Sequence, residues 1–178
     1  NMYSMGYNGY GQLGINSTSS NYYFRKIPSS NFNNEKVIYI CTSGYYYTTT
    51  YCITETGKMF AWGRNNRGQC LLGNTTQFNT PQEVTGVAGS DLLNKKVIHI
   101  EAMNDGNDIG KVFVLTDEGK LYYGGYMQDY GIYTGYYDST NTTNQTLPKL
   151  LTNSSTLWNS DNQKVVYFVT NNTCLLYT

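Results

Sequence analysis

The sequence predicts an all-β protein assembled from one sheet unit repeated along the chain. Three observations lead there. A glycine-rich turn occurs three times, and a strand-like segment led by Lys-Val also occurs three times. The composition is that of strands and turns: Tyr numbers 19 and Gly 18, and only 13% of residues are charged. Aromatic and β-branched residues favour pleated sheet, while Asn and Gly favour the turns between strands. No window keeps a helical period, so recurrence at a near-regular spacing is the organising fact.

The chain opens in the first glycine turn, Ser4-Met5-Gly6-Tyr7-Asn8-Gly9-Tyr10-Gly11-Gln12-Leu13-Gly14. A loop carrying Pro28 follows. The first Lys-Val strand is Lys36-Val37-Ile38-Tyr39-Ile40, and residues 37–42 alternate as a half-buried strand should. Gly44 permits a bend, and residues 47–54 read as the next strand. Glu55-Thr56-Gly57 is a tight turn, where glycine takes positive φ at no steric cost. Residues 59–62 return as a strand and run into the second glycine turn, Trp62-Gly63 with Asn65, Gly68, Gln69 and Gly73. Relative to the first turn, the stretch between Gln69 and Gly73 is longer and reads as an insertion. Pro81 precedes Glu83-Val84 and suits a junction between a loop and an edge strand, and Pro28 and Pro148 occupy comparable places.

The cycle then repeats. Lys96-Val97-Ile98-His99-Ile100 matches the first Lys-Val strand, and residues 113–116 with the turn glycine Gly119 match residues 51–54 with Gly57. A degenerate third glycine turn follows, with Gly124 where an aromatic stands in the second copy, then Gly125, Gly131 and Gly135. Lys164-Val165-Val166-Tyr167-Phe168 begins the last copy. Gly57 to Gly119 and Gly63 to Gly125 both span 62 residues, whereas Gly6 to Gly63 spans 57. The length variation is expected in the polar segments between each glycine turn and the next Lys-Val strand. The units are a partial repeat over 1–57, a repeat over 58–119 and a repeat over 120–178. Asn1 corresponds in phase to Lys58, and Thr178 to Thr54 and Thr116. Either the terminal strands meet and close a ring, or the chain is a stretch of a longer array. Three units leave little room for acceptable twist, so the expectation is the longer array.

Composition narrows the function. Lys plus Arg and Asp plus Glu both number 12, so the net charge is zero. Nucleic acid and anionic membranes are approached through excess positive charge, and neither is expected as a partner. No long apolar run predicts membrane insertion. Cys41, Cys52, Cys70 and Cys174 match no zinc spacing. Four reduced thiols are the simpler reading, with disulfides left open by the even count.

The turns resemble the regulator of chromosome condensation repeat family. The residues that carry the resemblance are Met5-Gly6 with Asn8 and Gly11-Gln12-Leu13-Gly14, then Trp62-Gly63 with Asn65 and Gly68-Gln69. The turn glycines Gly57 and Gly119, after strands ending Ile53-Thr54 and Leu115-Thr116, add to it. The resemblance implies a β-propeller of antiparallel four-stranded blades, about three of them covered here, in a ring of about seven. The family's founding activity is nucleotide exchange on a small nuclear GTPase with docking on chromatin. Its repeat commonly has a His in the strand before the glycine turn, and no His stands in that region here.

Individual candidates are modest. His99 shares its column with Tyr39 and Tyr167, and no acid or nucleophile is tied to it by spacing. The stretch from Asn104 to Gly110 hints at a calcium loop but has Val112 where a closing Glu is needed. The glycine turns lack the Lys-Ser/Thr ending of a phosphate loop. Asn-x-Ser/Thr sequons begin at Asn16, Asn74, Asn141, Asn144, Asn153 and Asn171, close to what chance supplies in such a composition. Tyr45-Tyr46-Tyr47 and the tyrosines from Tyr122 to Tyr137 are better candidates, since Tyr offers contact area with few rotors. Packing between blades is the alternative use for them.

The expected function is a non-enzymatic binding or structural module within a larger assembly. It would present Tyr, Asn, Ser and Thr to a protein or a glycan, with a virion or cell surface favoured as the setting. The alternative is an intracellular regulatory propeller, either an exchange factor or a ligase-associated scaffold. No catalytic residue, metal or cofactor is expected.

Overall fold

The structure is a computed structural model that describes residues 1–44, 46–104, 110–126, 144–151, 164–170 and 175–177. The described residues form twelve strands and one short 3-10 helix at Ser29–Phe32. Strands β1 (Met2–Gly6) and β2 (Asn21–Ile27) pair as a two-stranded sheet. Two four-stranded antiparallel sheets follow, each in simple sequence order. The first holds β3 (Val37–Thr42), β4 (Thr49–Thr54), β5 (Met59–Gly63) and β6 (Phe78–Glu83). The second holds β7 (Val97–Asn104), β8 (Gly110–Thr116), β9 (Leu121–Gly125) and β10 (Gln145–Leu150). Strands β11 (Phe168–Thr170) and β12 (Leu175–Tyr177) form a last pair.

The core lies in layers between successive sheets. Strands β4 and β8 are buried along their whole length, because alternate residues point into different layers. Tyr51 and Ile53 of β4 meet Val112 and Val114 of β8 in one layer. Cys52 turns the other way, to Ile27, Phe32, Phe60 and Trp62. Phe113 and Leu115 of β8 do the same toward Leu151, Val165 and Phe168. A strand covered on both faces buries every residue, so these two lack the buried-exposed alternation that β3 shows, and their polar members Thr49, Thr50, Thr54, Lys111 and Thr116 are buried as well.

The hairpin between the second and third strands is the same in both complete sheets. Gly57 N–H donates to Thr54 O and Gly119 N–H to Thr116 O, each at 2.9 Å. Each hairpin also ties to the next unit. Gly57 O accepts from Val97 N–H at 2.9 Å, and Gly119 O accepts from Val165 N–H at 3.0 Å. A Cβ on Gly57 would lie 2.2 Å from Lys96 Cγ. The glycine therefore meets two demands, a left-handed φ of 88° and close approach of the neighbour.

Several expectations need correction. The strand expected over 47–54 begins at Thr49, because Thr48 Oγ1 closes the preceding turn by donating to Gly44 O at 2.7 Å. Pro81 and Pro148 lie within the outer strands β6 and β10 rather than before them. They fall on edge positions where a missing N–H is harmless and discourages further pairing. Pro28 is not their counterpart; it follows β2 and precedes the 3-10 helix. The length variation is also divided. Part precedes the Lys-Val strand, since buried Phe32 and Leu92 occupy like places with left-handed Asn34 and Asn94 two residues on. The rest falls between β7 and β8, where β7 outruns β3 by two residues.

Candidate partner-binding face

The glycine turns gather at one end of the sheets and the hairpins at the other. Each of the first two turns is braced by a buried Asn. Asn8 Oδ1 accepts from Leu13 N–H at 2.9 Å, and its Nδ2 donates to Ser17 O at 2.7 Å and Ser19 O at 3.0 Å. Asn65 repeats this with Cys70 N–H at 2.8 Å, Asn74 O at 3.1 Å and Thr76 O at 2.8 Å. Gln12 Oε1 accepts from Tyr10 N–H at 2.9 Å, and Gln69 Oε1 from Arg67 N–H at 2.8 Å. These side chains satisfy backbone groups that a loop would otherwise leave bare. They hold the loop's shape, and Asn8, Asn65 and Gln69 are fully buried.

The matching bonds keep one register throughout, so the second turn has no inserted residue. Leu71 occupies the place of Gly14, with φ 62° against 70°. Gly73, expected to match Gly14, instead matches Asn16. Asn16 N–H donates to Asn79 O at 3.0 Å, and Gly73 N–H donates to Thr146 O at 2.8 Å. The substitution has a partner across the junction. A Cβ on Gly14 would lie 2.7 Å from Trp62 Nε1, so Trp62 covers Gly14. In the next junction the small residue is Gly124, and a Cβ there would lie 2.2 Å from Leu71 Cδ2. The large side chain has moved from one side of the contact to the other. Gly125 continues this stretch at φ 91°; Gly131 and Gly135 lie outside the described residues.

Above these junctions sit aromatic rings and guanidinium groups. Arg64 lies 4.5 Å from the Tyr10 ring centroid and 5.3 Å from that of Tyr47. Tyr10 and Tyr47 are 5.6 Å apart. Tyr7 packs edge-on against Tyr10 at 6.4 Å and against Tyr46 at 6.3 Å, with an interplanar angle of 87° to Tyr46. Tyr7 and Tyr46 are the outward members, 53% and 60% exposed. The second junction repeats the pairing with the partners exchanged, as Arg67 lies 5.3 Å from the Tyr126 ring. Stacked guanidinium and Tyr rings stiffen one another and leave an amphipathic surface. Within loops 7–14 and 64–73, Arg64 and Arg67 are the charged residues.

Sequence reasoning named Tyr46 and Tyr47 and missed their assembly with Tyr7, Tyr10 and Arg64. Tyr45 and the tyrosines from Tyr130 to Tyr137 lie outside the described residues, while Tyr122 is buried in a core layer. His99 is half-buried on β7, stacked between Tyr39 at 5.5 Å and Tyr167 at 5.4 Å, with Nε2 3.1 Å from Glu101 Oε1. Cys41, Cys52 and Cys70 are free thiols, and burial pushes the Cys41 and Cys52 thiols up to about 12. Cys174 and residues 105–109 of the calcium-like stretch fall outside the described residues. Among the described residues, no group of three or more His, Cys, Asp or Glu could hold a metal ion. A groove of about 460 Å³ beside Tyr7, lined by Met5, Phe24, Ile40 and Trp62 among others, contains no acid, His, Lys or Cys. Among the described residues, no helix is long and apolar enough to cross a membrane.

Comparison with known proteins adds the lineage. The family model for the regulator of chromosome condensation (RCC1) repeat matches residues 1–50 and 56–104, more than half of the 178 residues. The X-linked retinitis pigmentosa GTPase regulator of Homo sapiens is 38% identical over 85 residues, 48% of this chain and 8% of that protein. The protein of that name from Canis lupus familiaris is 37% identical over 84 residues, covering 47% and 8%. The crystal structure of human WBSCR16 superposes with a TM-score of 0.71 at 20% identity, over 98% of this chain and 39% of that one. Yeast RCC1 (Prp20), solved bound to Kap60, gives 0.69 at 17% identity, over 98% and 37%. None of these likenesses supports the virion-surface or glycan setting, and they fit the regulatory alternative better.

Proposed function

The chain belongs to the regulator of chromosome condensation repeat family and its sheets are β-propeller blades, and from that premise we propose that it is a protein-docking platform of an intracellular regulatory assembly. The observation that carries the reading is the cluster of Tyr7, Tyr10, Tyr46, Tyr47 and Arg64 at the glycine-turn end. Tyr and Arg are the residues that dominate protein–protein binding energy. Two of these rings stand exposed on a backing that Arg64 stiffens, so little freedom is lost when a partner docks. The Asn and Gln of the glycine turns serve as braces beneath this surface and contact no partner themselves. The name of the human relative, a GTPase regulator, makes a small GTPase the first partner to try.

The test pairs hydrogen-exchange footprinting of the chain, against a panel of purified small GTPases, with a nucleotide-release assay. Protection of residues 7–12 and 46–48 supports the docking reading. Faster nucleotide release would assign exchange activity; protection without it would assign a scaffold. Protection at the hairpin end alone, or with no GTPase at either end, defeats the proposal.

A further inference from the structure

We infer that Asn8-Gly9 is a site of spontaneous deamidation held shut by the first glycine turn, and that conversion of Asn8 takes down the loop carrying Tyr7 and Tyr10. Asn is followed by Gly at this place alone in the sequence. Such a pair rearranges without an enzyme. The Gly9 backbone nitrogen gives its proton to hydroxide and attacks Asn8 Cγ, and ammonia leaves as a cyclic succinimide closes. Water then opens the ring. Cleavage of the bond between Gly9 N and Cγ leaves aspartate, and cleavage of the bond between Gly9 N and the backbone carbonyl carbon leaves isoaspartate. Glycine favours closure because it has no Cβ to crowd the attacking nitrogen.

The fold exposes the attacking side of this reaction and withholds the other. Gly9 is exposed, whereas Asn8 is fully buried. The Asn8 carboxamide is committed to Leu13 N–H at 2.9 Å, Ser17 O at 2.7 Å and Ser19 O at 3.0 Å. Ring closure requires it to leave these partners, so the reaction proceeds from the locally opened turn. The products do not fit back. In the aspartate form an oxygen replaces Nδ2, so Ser17 O and Ser19 O lose their donor and face a buried negative charge. In the isoaspartate form the backbone gains a methylene and the carbonyl that accepts from Gly11 N–H is displaced. The second glycine turn is an internal control. Asn65 is buried and braced in the same way, through Cys70 N–H, but Asn66 follows it.

The test incubates the full chain at mildly alkaline pH, folded and in urea, and peptide mapping by mass spectrometry separates Asn, aspartate and isoaspartate at positions 8 and 65. In urea, Asn8 should convert about tenfold or more faster than Asn65, and Gly9→Ala should remove that advantage by adding a Cβ beside the nitrogen. Folding should slow Asn8 about tenfold or more, by the rarity of local opening. In the converted fraction of the folded chain, hydrogen exchange should accelerate at the Leu13 amide, while the Cys70 amide held by Asn65 keeps its rate. Four results overturn the inference: equal conversion of Asn8 and Asn65 in urea, equal rates for Asn8 in the folded and unfolded chain, native protection at Leu13 after conversion, or loss of protection at Leu13 and Cys70 together. No readout involves a partner, so the docking reading stands or falls separately.

Discussion

Leu71 shows how one residue can break a local rule and keep the fold. A fully buried leucine at φ 62° stores strain, on the order of 1–3 kcal/mol for a left-handed non-glycine residue. Burial of the side chain is worth more, since truncating a buried leucine costs about 2–5 kcal/mol. Filling the space over Gly124 therefore wins. Leu71→Gly is expected to destabilise by up to about 4 kcal/mol, the lost packing less the relieved strain. Gly124→Trp alone should also destabilise, because the ring would meet Leu71. The double variant reproduces the Gly14–Trp62 arrangement, so urea denaturation should show a favourable coupling of about 1–3 kcal/mol, as for contacting sites. Simple additivity would refute the exchange of large for small. This substitution was hidden in the sequence for a physical reason. Gly73 also takes a left-handed φ, at the place of Asn16, and two nearby left-handed positions make a shifted alignment look like an insertion.

The hairpin between the second and third strands is secured by a side-chain clip that differs from sheet to sheet. Glu35 accepts from Lys58 Nζ at 2.7 Å and from Thr54 Oγ1 at 2.5 Å, and Thr56 Oγ1 also donates to it. In the next sheet the roles reverse, with Lys95 donating to Glu118 at 2.8 Å and 3.0 Å. Partial burial alone would raise the Glu35 carboxyl, but Lys58 and the two hydroxyls outweigh it and hold the group at about 2. A carboxyl lowered on folding adds stability that is complete above its unfolded value of 4.5 and fades as pH falls through about 2. Denaturation midpoints of the native chain should therefore drop between those pH values, and Glu35→Gln should flatten the drop while lowering stability at neutral pH. An unchanged acid limb in Glu35→Gln would place the sensitivity elsewhere. Elements of this kind were readable wherever a pattern was local. The first two Lys-Val strands, the Thr-to-Gly hairpins and the alternation of β3 depend on neighbours in sequence, whereas the third Lys-Val segment becomes a strand only from Phe168. The Tyr–Arg cluster was not readable, because Tyr10 and Arg64 meet across a junction that no local period encodes.

At the scale of the whole molecule, the sheets form a chain of neighbours, and the two glycine-turn junctions among the described residues use the same few positions with different residues. Trp62 over Gly14 becomes Leu71 over Gly124, and Arg64 over Tyr10 becomes Arg67 over Tyr126. The repeat thus preserves contacts more strictly than residue types. In such an array stability is approximately a sum of unit and nearest-neighbour terms, so damage at one junction should stay near it. Gly57 offers a test, because its carbonyl holds Val97 N–H and its missing Cβ admits Lys96. Gly57→Ala should cost roughly 1–3 kcal/mol through its left-handed φ and that collision. Native-state hydrogen exchange should show the Val97 amide accelerating by about tenfold for each 1.4 kcal/mol lost. The Leu13 amide, held by Asn8 one junction away, should keep its rate, and so should the Val165 amide bonded to Gly119 on the far side of the second sheet. Equal acceleration of all three would mean that the sheets unfold as one cooperative body, and the nearest-neighbour description would then fail for this chain.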